Sequence, residues 1–175
     1  MTSLGMLVAG FLIVIADLRI NGFDLITDPI GWMLALVALA GLTRLHWGFT
    51  LAAASSVAGL IVSVGSIQQP TEGLLGTAES IVMTGVVFGT CSAILALSSS
   101  ARDRRAADVI RWVDLALTVF VVASSPWTPD EKVDVSGAAA FPLVALVILA
   151  LGVVIWFLLL VWRVRREPAY APDAR

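Results

Sequence analysis

The residues able to carry chemistry are few, and most stand in one stretch, Asp17-Leu-Arg19-Ile-Asn-Gly-Phe-Asp24-Leu-Ile-Thr-Asp28-Pro29-Ile-Gly31-Trp32. Asp17, Asp24 and Asp28 share it with the Arg19 guanidinium, and apolar runs flank it on both sides. Together they could form an outward-facing acidic pocket for a proton or a cation. Glu79, less than two turns into a later apolar run, would be its distant member, because an acid within a membrane helix is costly to bury and is by default a functional candidate. Structural readings stand beside this one. Asp28 before Pro29 is a helix-start signature, a side-chain acceptor followed by a residue whose fixed φ suits the first turn. Asn21-Gly22 reads as a turn, and Glu79 could instead reach the outer interface or bond a neighbouring helix. One guanidinium neutralises only part of three carboxylates, so Asp17, Arg19 and Asp24 are expected in a single network.

Elsewhere the chemistry is sparser. Arg111 precedes Asp114 by three residues on the same helical face, which predicts a local ion pair at the inner boundary rather than a proton relay. His46, between Arg44 and Trp47, reads as an interfacial side chain, since a lone imidazole without acidic or sulfur neighbours makes no metal site. Cys91 is the only cysteine, so no intrachain disulfide or thiolate cluster can form. The sequence contains no G-x-S-x-G, H-E-x-x-H, phosphate loop or dinucleotide fingerprint, so a conventional enzyme has no sequence support and no metal or cofactor is expected. A membrane-embedded enzyme would need two convergent polar groups at one depth, which only Asp17, Asp24 and Glu79 could provide.

The run from Asp17 to Asp24, written D-x-R-I-x-G-x-D, followed by Asp28-Pro29 and Gly31, resembles an element joining the first two helices in a group of small bacterial multipass membrane proteins. In that element Pro precedes Asp, whereas here Asp28 precedes Pro29. The resemblance covers Asp17 to Gly31 and implies a membrane-embedded fold; no activity comes with it.

The elements that must position these residues are apolar helices. In 175 residues, 59% are hydrophobic and 14% charged, with a mean hydropathy of +0.95, against about 25% charged in an ordinary soluble domain. Lipid is therefore the expected solvent and an all-α, polytopic transmembrane bundle the expected fold. Spans are predicted near 3–19, 29–46, 47–67, 74–97, 107–125 and 138–162, with 163–175 a short basic cytoplasmic tail and the whole chain one transmembrane domain. The second span requires Arg44 to snorkel to the headgroups, and the fifth requires a helix starting near Ala106. Residues 98–111 and 126–137 read as polar connectors. The first run could also serve as a signal-peptide core ending at Val14 and Ala16, but no basic segment precedes it, and it is taken as a retained span.

Basic residues set the orientation, because Lys and Arg in short loops stay on the cytoplasmic side. With both termini inside, nine of the eleven basic residues are cytoplasmic, and only Arg19 and Lys132 lie outside. This predicts a multipass protein of the bacterial inner membrane. Trp32 and Trp127 would then form an outer aromatic belt, and Trp47, Trp112 and Trp162 an inner one. Close packing is expected where small residues repeat: Ser55, Gly59 and Ser63 on the third span should meet Gly85 and Gly89 on the fourth. Self-dimerisation through Gly85 and Gly89 is the alternative use of that pattern. With a net charge of −2 no nucleic-acid partner is expected; the bilayer is, together with either a protein partner or a second copy. The leading functional expectation is a non-enzymatic subunit, scaffold or accessory factor, and the alternative is a small transporter or ion-conducting protein built on the outer acidic cluster.

Overall fold

The computed structural model describes residues 2–16, 19–20, 23–24, 28–68, 74–124 and 140–170. Its architecture is all-α, with helices α1 (Ser3–Ala16), α2 (Asp28–Ala40), α3 (Trp47–Gln68), α4 (Leu74–Leu97), α5 (Ala101–Ser124) and α6 (Ala140–Val164). A two-residue antiparallel ladder, β1 (Arg19–Ile20) with β2 (Phe23–Asp24), lies between α1 and α2. Each helix packs on the next in sequence, and α6 returns to α1, closing a ring.

Three helices are long and apolar enough to cross a membrane: Trp47–Val64, Thr77–Leu97 and Val144–Val164 are apolar windows with mean hydropathies of 1.7, 2.0 and 3.2. Of the first two helices, α2 ends before its predicted limit, whereas residues 17–18 of the first predicted span lie outside the described residues. α1 has 14 residues and α2 has 13, about 20 Å each at 1.5 Å per residue, against roughly 30 Å of hydrocarbon. The extension of the second span to Arg44 does not occur. After Ala40 the chain tightens into i→i+3 bonds, Leu42 N–H to Leu39 O and Leu45 N–H to Leu42 O, and Arg44 is exposed in that turn.

The segment from Ser98 to Arg111 corrects the connector reading in the opposite sense, because α5 starts at Ala101 and most of that segment is helix. Ser98 Oγ accepts from the Ser100 amide at 3.2 Å, and Ser100 Oγ from the Asp103 amide at 3.4 Å, satisfying amides that a helix start leaves open. Asp103, Ala106, Ala107 and Ile110 face inward while Arg102, Arg104 and Arg105 face outward. Charge density made this stretch look like a loop, yet it has helical periodicity on one buried face. α3 starts with a cap of its own, the Gly48 amide donating to His46 Nδ1 at 3.0 Å.

The core runs along the inside of the ring. Phe11 of α1 lies between Trp32 of α2, edge-on at 6.3 Å, and Phe157 of α6 at 5.5 Å. Trp32 is 1% exposed, which removes it from the predicted outer belt. Its indole sits over Gly59 of α3, where any Cβ would collide with the ring. Trp47, Trp112 and Trp162 are exposed, and Trp127 lies outside the described residues.

Candidate functional site

The predicted outer cluster is only partly described. Arg19 and Asp24 are Cα partners in the short ladder, Asp28 is the first residue of α2, and Glu79 is half-buried near the start of α4 with a partner of its own. Asp17 lies outside the described residues. Convergence of these groups on a cavity is therefore not among the observed features.

The small-residue positions divide between two neighbours. A Cβ on Gly85 would strike Ser55, and one on Gly89 would lie 2.9 Å from the Ala52 amide and against the Gly48 carbonyl, so α3 and α4 touch backbone to backbone. Gly59, expected on the same contact, instead faces α2 through Trp32. Ser63 is buried and donates to the Leu60 carbonyl at 3.0 Å. A second crossing joins α1 and α2, where a Cβ on Gly10 would come within 2.7 Å of the Gly31 carbonyl. Gly31 stands four residues before Ala35, whose amide also lies at this contact, a small-residue interval that the sequence reading passed over.

Two polar groupings are built by α4, α5 and α6, and of their members the sequence singled out only Arg111 and Asp114 as a pair. The first lies along the α4–α5 contact. Thr84 and Thr118 hydroxyls meet at 2.5 Å, and Thr84 also hydrogen-bonds the Asp114 carboxylate, while Asp114 Oδ2 is buried without a partner. A turn and more toward the inner end, Arg111 pairs with Asp108 at 2.6 Å. The predicted Arg111–Asp114 pair does not form: the guanidinium lies 5.7 Å from the Phe88 ring and 5.4 Å from that of Trp112, turned toward Asp108. An acid preceding its base along the chain is the favoured order on a helix. The Thr84 and Thr118 hydroxyls tie α4 to α5, as polar side chains do between helices in lipid.

The second grouping is at the inner end, where α4, α5 and α6 meet. Glu167 accepts from the Ser98 hydroxyl at 2.9 Å and from the Ser99 amide at 3.3 Å. Arg163, in the last turn of α6, pairs with the buried Asp103. Beyond it Pro168–Tyr170 forms a 3₁₀ turn, and Tyr170 is buried edge-on to Phe49 of α3 at 6.2 Å. Burial raises the Tyr170 phenol above its ordinary pKa, and nearby Glu167 raises it further. The chain from 163 to 170 is thus a docked clasp. Comparison with protein-family models, curated proteins and solved structures returned no match. Among the described residues no group of three or more His, Cys, Asp or Glu could hold a metal ion.

His46, Ser56, Ser92 and Thr43 are engaged locally: the ring caps α3, Ser56 and Ser92 bond carbonyls of their own helices, and Thr43 bonds the Ala40 carbonyl at the end of α2. Their chemistry is directed at the backbone, whereas the α4–α5 seam and the clasp link elements through side chains.

Proposed function

We propose that this chain is a non-enzymatic integral-membrane subunit or accessory factor, inserted in a bacterial inner membrane with six spans and both termini cytoplasmic. The observation that carries the reading is the uneven covering of α6. Its window Val144–Val164 has the highest mean hydropathy, 3.2, yet only 22% of it is buried, against 56% for Thr77–Leu97 at 2.0. The inner half is seated through Val153, Phe157, Leu160, Val161 and Val164, whereas Val144, Val147, Ile148 and Leu151 of the outer half are exposed. A helix with one seated half and one uncovered half offers an apolar contact to another membrane helix. The polar seam and the clasp support the same reading, since both fasten this bundle together.

The test is purification from native membranes in a mild detergent. A stoichiometric complex is expected, released by Val147→Trp or Ile148→Trp without loss of the subunit's own melting temperature. A chain that purifies alone and moves protons or a solute across liposomes would favour the transporter reading.

A further inference from the structure

Outside both polar groupings, the surface between α5 and α6 is indented by a cleft of about 290 Å³ lined by Arg102, Arg105, Ala106, Val109, Trp156 and Arg163. Its chemistry is graded along the helix axes. Arg102, Arg105 and Val109 follow the i, i+3, i+7 spacing that keeps residues on one helix face, and Trp156 and Arg163 do the same on α6. Val109 lies seven residues beyond Arg102, and Trp156 seven before Arg163, about 10 Å in each case. The antiparallel helices thus set all three guanidiniums at the inner end and the apolar pair one level deeper. Arg102 and Arg105 are exposed and have no carboxylate partner among the described residues, while Arg163 already shares Asp103. The lining therefore keeps a positive excess above an indole and an isopropyl group that are themselves half open to the surroundings.

We propose that this cleft is a binding site for an anionic phospholipid, its phosphate held by Arg102, Arg105 and Arg163 and the start of an acyl chain lying on Val109 and Trp156. Guanidiniums present planar forks of donors suited to phosphate oxygens, and basic pockets between membrane helices on the cytoplasmic side take lipid headgroups. The apolar floor distinguishes a lipid from a free phosphate, which would leave it uncovered. The site requires that the chain be membrane-inserted, but not that the partner reading above be correct.

Native mass spectrometry of the full chain in detergent, with phosphatidylglycerol, phosphatidylcholine or inorganic phosphate added separately, tests the proposal. Phosphatidylglycerol should bind, and R102Q/R105Q should bind it about tenfold or more weakly, each lost arginine costing several-fold. R104Q, which removes an exposed arginine of α5 outside the cleft, should bind like the unaltered chain. Trp156→Ala should weaken phosphatidylglycerol without altering the melting temperature in phosphatidylcholine. Equal loss in R104Q would mean diffuse surface charge, equal binding of phosphatidylcholine would mean no headgroup selection, and binding of phosphate as strong as that of the lipid would mean a free-anion site; each overturns the proposal. If the double variant does not fold, R102Q and R105Q singly apply the same test.

Discussion

Tyr170 takes its hydroxyl into a buried position against Phe49, and that hydroxyl has no hydrogen-bond partner. A buried polar group left unpaired costs roughly 1–3 kcal/mol, so Tyr170→Phe should hold or raise the melting temperature at neutral pH, whereas Tyr170→Ala should lower it through the lost ring contact. The ionisation gives a second, pH-dependent readout. The folded pKa lies above the ordinary value of 10.0, so the folded state prefers the neutral phenol. That contribution is complete below the unfolded pKa and declines as pH rises past it toward the folded value. Thermal melts of the unaltered chain should therefore fall more steeply above pH 10 than those of Tyr170→Phe; parallel curves would show that the ring is not buried in the clasp. At this scale Trp32 shows the limit of sequence reading. A tryptophan near a span boundary fits an aromatic belt, and only the notch at Gly59, remote in sequence, shows that the indole is core.

Between elements, the decisive contacts are made by residues without side chains. On α3 and α4 the Gly48 and Gly89 backbones touch, whereas a Cβ on Gly152 of α6 would meet nothing within 4 Å. Gly89→Leu should thus destabilise the bundle by about 1–3 kcal/mol through overpacking, while Gly152→Ala should be neutral or stabilising by up to about 1 kcal/mol through helix propensity. Equal melting temperatures for the two variants in detergent would place Gly89 against lipid. The Gly85 and Gly89 pair was legible because a four-residue interval puts both on one helix face. Its partner residues were only partly singled out: Ser55 stood in the repeat that was read, Gly48 and Ala52 stand at the same four-residue interval one register along and were passed over, and Gly59 turns to α2. The first turn of α5, from Ala101 to Arg105, was missed for a related reason. Four arginines and two aspartates over 101–111 outweighed a buried face made of only Asp103, Ala106, Ala107 and Ile110. The length of α2 was overestimated because apolar composition continues to Leu42, past the last helical residue at Ala40.

Across the whole molecule, the contacts of the clasp collect one set of helix ends. Glu167 and Arg163 of the α6 end meet Ser98 after α4 and Asp103 at the start of α5, and Tyr170 meets Phe49 in the first turn of α3. Arg102, Arg104, Arg105, Arg163, Arg165 and Arg166 belong to that same end. The clustering of basic residues was fully legible in the sequence, because topology signals are compositional and need no tertiary detail. The way that end is fastened was not, since Ser98 and Glu167 are 69 residues apart and nothing local pairs them. The proposed six-span orientation puts residue 99 on the cytoplasmic side and residue 136 on the opposite side. The most direct measurement is therefore labelling of single cysteines, Ser99→Cys and Ser136→Cys, in a Cys91→Ala background with a membrane-impermeant thiol reagent applied to intact cells and then to inverted vesicles. Ser136→Cys should react in cells and Ser99→Cys only in inverted vesicles; reaction of both from the same side would contradict the alternating six-span arrangement.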